Sequence, residues 1–215
     1  MGILQKNYSM SNRPYGMYLA YFTLAALVFN ILLAVYLGFG FVSALVGFLI
    51  AVFPFLFTKY TKIKFPWFVY FLICLAVLIH ISGYIQGRYL NIPNWDTLAH
   101  TVSGSIIALL GFVLILFLDK MRKYNLDPPF IGGFTVMFGL TGEYLWEIYE
   151  FLVDTFLGGS LAGKMQADNT DTMVDMIFVL VPSIIVALGC YYYLKKNGKE
   201  KIMHEMIKDS PFFPE

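Results

Sequence analysis

Residues 66–86 read PWFVYFLICLAVLIHISGYIQ and contain no Asp, Glu, Lys or Arg. An α-helix rises about 1.5 Å per residue, so about 20 apolar residues cross the roughly 30 Å hydrocarbon core of a bilayer. The run therefore predicts a transmembrane helix. Pro66 stands at its start, where the missing N–H of proline costs little.

Five further apolar runs lie before and after this one. They cover residues 17–36, 40–58, 95–118, 129–157 and 171–194, and the first two are divided only at the glycines Gly38 and Gly40. Of the 215 residues, 59% are hydrophobic and 13% are charged, against about 25% charged in soluble domains. We therefore predict an all-α, multi-pass protein of the cell membrane, in which residues 1–215 form one domain of six transmembrane helices surrounded by the lipid bilayer.

The Lys and Arg residues are unequally shared between the two sides of the predicted membrane domain. All but two of the 15 fall in the segment 1–16, in the connections after the second and fourth runs, or in the tail 195–215. The exceptions are Arg88 and Lys164. Because cytoplasmic loops are enriched in Lys and Arg, we predict that the N-terminus and the C-terminus are both cytoplasmic. A net charge of +1, with no basic arm, argues against a nucleic-acid partner.

The predicted cytoplasmic tail contains a short apolar pattern. Ile202, Met203, Met206 and Ile207 have helical spacing among charged residues. This pattern is typical of an amphipathic helix that lies on a membrane surface, and an extended solvated tail is the alternative interpretation.

Eight of the 14 acidic residues fall on the outer side of the predicted domain. They occur in the fourth to sixth helices, or in the connection between the fifth and the sixth: Asp96, Glu143, Glu147, Glu150, Asp154, Asp168, Asp171 and Asp175. Because residues three or four apart lie on one face of a helix, each of the three helices carries one polar stripe. His80 and His100 are expected at the same depth. Residues 95–194 are therefore predicted to contain a polar site.

A bound metal ion is the expected explanation for this concentration of acids. A carboxylate within the hydrocarbon costs about 2.5–3.5 kcal/mol on insertion scales, and the few cations on this side cannot balance eight acids. Asp, Glu and His side chains suit Mg²⁺, Mn²⁺ or Zn²⁺, and the alternative is that some acids stay protonated. The expected ligands are Asp96, His100, Glu147, Asp171 and Asp175, with His80 and Glu143 as additional candidates.

Simpler roles are open for several of these residues. Asp96, Asp168, Asp171 and Asp175 stand near predicted helix N-termini, where a carboxylate caps the backbone. The two histidines could join helices by hydrogen bonds without binding metal. Asp154 is expected near the membrane interface, where a solvated charge needs no partner.

Three segments resemble the YjdF-like family of uncharacterised prokaryotic inner-membrane proteins. They are residues 95–104 (WDTLAHTVSG), 145–151 (LWEIYEF) and 166–176 (QADNTDTMVDM), of which the third is the most specific. A looser likeness joins the same half of the chain to VanZ-like proteins. The resemblance places eight residues at polar motif positions of the family: Asp96, His100, Glu147, Glu150, Gln166, Asp168, Asp171 and Asp175. It implies a site but no particular reaction.

The leading functional hypothesis is a metal-dependent enzyme that acts on a lipid or lipid-linked substrate at the outer leaflet. Glu150 or Asp168 would serve as general base, and Arg88 and Gln166 would bind the substrate. One alternative is a transporter of a divalent cation or of protons that uses the same acids. The other is a structural or accessory membrane protein in which the polar cluster only holds the helices together.

Overall fold

The apolar runs of the sequence form long helices that end at glycine, proline or polar residues. The computed structural model describes residues 14–157 and 166–207, and the regular structure within these ranges is helical throughout. The all-α prediction is therefore confirmed for this part of the chain. In chain order the helices are α1 (Pro14–Leu37), α2 (Phe41–Thr61), α3 (Trp67–Ile85), α4 (Arg88–Asn91), α5 (Trp95–Arg122), α6 (Pro128–Leu157), α7 (Asn169–Asn197) and α8 (Lys199–Ile207).

Local backbone chemistry sets the helix boundaries. Gly38 and Gly40 have φ angles of 65° and 74°, which residues with a side chain rarely adopt, and they separate α1 from α2 as predicted. Pro66 is the residue before α3, and Pro128 is the first residue of α6. The Asp168 side chain accepts hydrogen bonds from backbone N–H groups and caps α7.

Five of the helices in the described ranges are long and apolar enough to cross a membrane: α1, α2, α3, α5 and α7. The protein is therefore a multi-pass membrane protein. α6 has 30 residues and would extend about 45 Å at about 1.5 Å per residue. It differs from the other five in composition because its second half contains four acids, Glu143, Glu147, Glu150 and Asp154.

The long helices form two groups of three. α1, α2 and α3 pack on one another, α5, α6 and α7 do the same, and α3 packs against α5 to join the groups. The first group has an apolar core that includes Leu27, Ala51 and Cys74. The second group has an apolar core around Leu116 and Ile131, towards one end only. The other end of the second group contains the acids.

α8 packs against the apolar end of the α5–α7 group. Its Ile202, Met203 and Met206 side chains are buried in the same core as Leu116 and Ile131. The helical spacing in the tail therefore does form a helix. The three side chains are buried against the protein, because the ends of α5 and α6 present apolar residues for them to contact.

The connections rich in Lys and Arg meet at this same end, which we call the basic end. Lys64 N donates to Met206 O at 2.8 Å and so links the α2–α3 connection to α8. Lys199 Nζ lies 2.6 Å from Asp119 Oδ2 and donates to Leu126 O at 2.8 Å, which links α8 to the α5–α6 connection. The opposite end of the bundle, which carries the acids of α6 and α7, is called the acid end.

Some sequence predictions concern residues outside the described ranges. Lys6 and Arg13 of the predicted N-terminal segment, Lys164 of the α6–α7 connection, and the tail beyond Ile207 all lie there. The division into segments 1–16, 95–194 and 195–215 stays a prediction.

Candidate functional site

The acid end of the α5–α7 group buries several ionisable side chains together. Glu143, Glu147 and Glu150 of α6, Asp175 of α7 and His100 of α5 are each between 2% and 6% exposed. Charged side chains are almost never buried to this extent unless they are paired. The structure therefore brings together residues from all three of the polar stripes in the sequence.

Glycines allow the three helices to approach closely beside this cluster. A Cβ atom at Gly104 of α5 would lie 2.5 Å from Val179 Cγ1 of α7, and one at Gly142 of α6 would lie 2.7 Å from Ile107 Cγ2 of α5. Both distances are too short for ordinary side-chain contacts. The absence of a side chain at these two positions lets His100, one turn from Gly104, reach carboxylates on both neighbouring helices.

His100 is at the centre of the cluster. Its Nδ1 lies 2.7 Å from Glu143 Oε1 and 3.9 Å from Glu147 Oε1, while its Nε2 lies 3.4 Å from Asp96 Oδ1. A neutral imidazole has one N–H donor and one acceptor nitrogen. When Nδ1–H donates to Glu143, the Nε2 lone pair is the one available to another partner.

Two buried polar atoms of the cluster have no hydrogen-bond partner among the described residues. They are His100 Nε2 and Glu147 Oε1. Asp96 Oδ1 lies 3.4 Å from His100 Nε2, but this contact lacks the geometry of a hydrogen bond. A buried polar atom without a partner costs about 1–3 kcal/mol. A cation or an ordered water bound between these atoms would remove that cost.

Two sets of side chains can bring ligand atoms within 4.8 Å of one another. The first set is Asp96, His100 and Asp175, from α5 and α7, and the second is His100, Glu147 and Glu150, from α5 and α6. Both sets include His100. Oxygen and imidazole nitrogen atoms at this separation match the donor groups of sites for Zn²⁺ and other transition metals.

Residues 166–168 form hydrogen bonds with acidic side chains and a threonine of α6 and α7, and with the backbone at the start of α7. Gln166 Nε2 donates to Glu147 Oε2 and to Thr172 Oγ1, both at 2.9 Å, and Gln166 N donates to Asp154 Oδ2 at 2.9 Å. Asp168 Oδ1 accepts from Thr170 N at 2.6 Å, and Asp171 Oδ2 accepts from Ala167 N at 2.9 Å. Asp168 and Asp171 therefore take part in the local structure at the start of α7. Neither is a member of the two converging sets.

His80 of α3 lies beside the cluster and bonds to neutral groups. Its Nδ1 is 2.8 Å from Tyr89 Oη, and its Nε2 is 2.8 Å from Ser103 Oγ. Burial and the nearby carboxylates, Asp96 first among them, raise the pKa of the Tyr89 phenol above its ordinary value. The His80–Tyr89 contact spans the α3–α4 connection, so helical spacing contained no signal for Tyr89.

An aromatic side chain connects His80 to the second set of acids. Trp146 Nε1 donates to Glu150 Oε1 at 2.8 Å, and the Trp146 ring lies 5.6 Å from the His80 ring between centroids. Its indole N–H therefore orients a buried carboxylate.

Arg88, expected from the sequence to bind substrate, lies in α4 at the acid end. Its Nε and Nη2 atoms donate to Gln86 Oε1 at 3.0 and 2.6 Å. Its guanidinium carbon lies 4.8 Å from the centroid of the Trp95 ring, a cation–π distance. The structure therefore holds this arginine against Trp95, the first residue of α5.

A groove between α6 and the start of α7 connects to the cluster. Its volume is about 590 Å³, and its walls combine apolar and polar side chains, including Tyr144, Glu147, Ile148, Phe151, Gln166 and Met176. Glu147 belongs both to the groove and to the second converging set. The groove thus has a carboxylate of the buried cluster in its wall, beside apolar side chains.

Comparison with known proteins identifies the family. The family model described as "Predicted membrane protein (DUF2238)" matches residues 15–196, which include α1–α3 as well as the segments of the YjdF-like resemblance. Neither the curated proteins nor the solved structures gave a significant match. The YjdF-like and VanZ-like likenesses stay resemblances. Since the model covers most of the chain, from α1 into the last turn of α7, this multi-pass membrane protein belongs to the DUF2238 family of predicted membrane proteins.

Proposed function

We propose that this protein binds a divalent metal ion at the acid end, with His100 Nε2, Asp96 and Asp175 as its protein ligands. The observation that carries the proposal is the buried Nε2 atom, which has no hydrogen-bond partner among the described residues and faces these carboxylates. Glu143 accepts from the other ring nitrogen at 2.7 Å. A carboxylate that orients a metal-binding histidine in this way is a recurring feature of protein metal sites.

The chemical types of the proposed ligand atoms narrow the choice of metal ion. Imidazole nitrogen is a good ligand for Zn²⁺ and Mn²⁺, whereas Mg²⁺ prefers oxygen ligands and keeps several waters. Two carboxylates and one histidine leave coordination positions for water or substrate, as catalytic metal sites require. We therefore favour Zn²⁺ or Mn²⁺ over Mg²⁺.

The function that this arrangement supports best is that of a metal-dependent enzyme acting on a lipid or lipid-linked substrate. The metal would polarise a phosphoryl or acyl oxygen or activate a water. Glu150 and Glu147, from the second converging set, are the candidate general bases beside it. Asp168 is less suited to that role because it caps α7. The groove between α6 and α7 offers an apolar wall for a lipid chain, and Gln166 in its lining could contact the substrate.

The proposed topology has six transmembrane helices, which are α6 and the five apolar helices α1, α2, α3, α5 and α7. The termini are cytoplasmic and the acid end is outside. Two observations support it. First, α6 is long enough to cross a bilayer and packs against both α5 and α7. Second, the connections rich in Lys and Arg meet at one end of the bundle. Single cysteines at Lys62 and Leu90 test the orientation: a membrane-impermeant thiol reagent applied to intact cells should label the Leu90 position and not the Lys62 position.

The metal site is tested by elemental analysis of the purified protein and two matched variants. Asp175→Asn removes a proposed ligand, whereas Asp171→Asn removes a carboxylate one helical turn away that bonds to Ala167 N. We expect about one metal ion per chain in the wild type and in Asp171→Asn, and a large loss in Asp175→Asn. Equal metal content in both variants, or no metal in the wild type after loading, contradicts the proposal.

The same preparations separate the enzyme from the two alternatives. Turnover of lipid phosphates or esters by the metal-loaded wild type supports an enzyme. Uptake of the metal into proteoliposomes without turnover supports a transporter instead. Among the described residues, the core around Leu116 and Ile131 is apolar, so no acidic station continues the site towards the basic end. Metal binding with neither property leaves a structural role.

A further inference from the structure

Arg88 is the one Lys or Arg that the structure shows at the acid end, and it makes no ion pair with any described residue. This is unexpected because carboxylates are abundant there and an arginine–carboxylate pair is a strong interaction. The guanidinium is instead held by a neutral amide and an aromatic ring. No carboxylate among the described residues therefore neutralises its charge.

A line of polar side chains from α1 fixes the position of Arg88. Asn30, which is 2% exposed, donates from Nδ2 to Ala26 O at 2.9 Å. Asn30 Oδ1 accepts from Gln86 Nε2 at 2.9 Å, and Gln86 Oε1 accepts from both Nε and Nη2 of Arg88. Because both ends of the Gln86 amide are bonded, its orientation and that of the guanidinium are determined together.

The opposite side of Arg88 is fixed as well. The guanidinium lies over Trp95, whose Nε1 donates to Ile79 O at 3.3 Å. Arginine has five N–H donors, and Gln86 takes only two of them. The two N–H groups of Nη1 and the second N–H of Nη2 form an edge that suits bidentate bonding to a phosphate or carboxylate.

We infer that Gln86 and Asn30 are positioning residues that present Arg88 as an anion-binding group at the same end of the bundle as the proposed metal site, and that its ligand is the phosphate headgroup of a lipid. The inference rests on the proposed function for the identity of the neighbouring site. A metal ion and an arginine fork together suit a phosphate better than a neutral or cationic headgroup.

Calorimetric titration in detergent tests the inference. Metal-loaded protein is titrated with short-chain phosphatidic acid, short-chain phosphatidylcholine and inorganic phosphate. We expect phosphatidic acid to bind most tightly to the wild type, and Arg88→Gln to weaken it on the order of tenfold or more, as the loss of charge-assisted hydrogen bonds predicts. Lys62→Gln, which removes an exposed charge at the basic end, is the control and should bind like the wild type.

A second variant separates positioning from general destabilisation. Gln86→Glu retains the shape of the side chain but places a carboxylate against the guanidinium and removes the Nε2 donor to Asn30 Oδ1, so Arg88 is neutralised and loses its link to α1. We expect phosphatidic acid to bind Gln86→Glu as weakly as it binds Arg88→Gln, with the binding of phosphatidylcholine unchanged. A merely structural role for Gln86 would not change this selectivity.

The outcomes are distinct. Wild-type affinity in Arg88→Gln overturns the inference, and so does a Gln86→Glu variant that keeps the preference for phosphatidic acid. Inorganic phosphate that binds as tightly as phosphatidic acid overturns the assignment to a lipid. Metal content, measured on the same samples, tests the proposed function separately. If the wild type contains no metal but binds phosphatidic acid, and Arg88→Gln weakens that binding, the result contradicts the metal site and supports the anion site.

Discussion

The two ends of the helix bundle handle their charges differently. At the basic end, Asp119 lies 2.6 Å from Lys199 Nζ and accepts from Leu126 N at 2.9 Å, so the acid is matched by groups of the chain. At the acid end, four buried acids from α6 and α7 surround the single imidazole of His100. Matched charges join helices. The surplus of buried acids at the acid end, beside two polar atoms without partners, is the basis of the proposed metal site.

The largest effect is expected from removal of the proposed metal ion with a chelator. A ligand that binds only the folded state at 100 times its dissociation constant adds about 2.7 kcal/mol to the free energy of unfolding. We expect chelation to lower the melting temperature in detergent and to increase hydrogen exchange at the start of α7. Exchange around α8 should stay the same. An unchanged melting temperature in protein shown to have lost metal would contradict the comparison.

The second prediction concerns Glu143, which we expect to orient His100 without binding the metal. Changing an outer carboxylate of this kind typically costs 10- to 100-fold in metal affinity. Glu143→Gln should therefore weaken metal binding by about that factor in competition titrations with a chromophoric chelator. Asp154→Asn, which changes a partly exposed acid on the same helix, is the control. A complete loss of metal in Glu143→Gln would instead make Glu143 a direct ligand.

The third prediction tests the basic end. Asp119→Ala leaves Lys199 Nζ and Leu126 N without their acceptor, and the loss of such charge-assisted bonds should reduce the free energy of unfolding by about 1.5 kcal/mol. Thermal unfolding in detergent would measure the change. Metal content should be unaffected, because the change lies at the other end of the bundle. A variant that loses metal would show that the two ends are coupled.

The smallest effect is expected at an exposed ion pair of the basic end. Lys120 and Glu200 are 2.6 Å apart, but their side chains are 42% and 76% exposed. Water and salt screen such pairs, so Glu200→Gln should change the free energy of unfolding by less than about 1 kcal/mol. A larger change, in the same assay as Asp119→Ala, would show that α8 depends on this pair more than on its buried apolar face.

Much of the fold could be predicted because its signals are local. The apolar run at residues 66–86 and the glycines at 38 and 40 determine helices and their ends through composition and backbone conformation alone. Glu143, Glu147 and Glu150 of α6 could be assigned to one face because they are three and four residues apart. The apolar pattern of α8 was also recognisable. The surface that it covers was not, because that surface comes from α5 and α6.

The site could be predicted only in part, because it too depends on how separate helices pack against one another. His100, Glu147 and Asp175 were recognised from their spacing and from the family resemblance, and they do lie together. Asp171, one turn from Asp175 on the same helix, has the same signal but bonds to Ala167 N instead. Helical spacing gives the direction of a side chain only to within one face. The choice between the two acids depends on how α7 is rotated against its neighbours.

Composition and residue spacing are sufficient to predict that this chain enters a membrane through several apolar helices, that its basic residues gather in certain connections, and that its acids form stripes. These properties depend on residues near one another in the chain. Three features are visible only in the folded bundle. The stripes converge on His100, and Trp146 orients Glu150. Asn30 of α1 positions Arg88 through Gln86. Such contacts join helices distant in sequence, and they depend on the order and rotation of helices in the bundle, which hydrophobic length and periodicity do not encode.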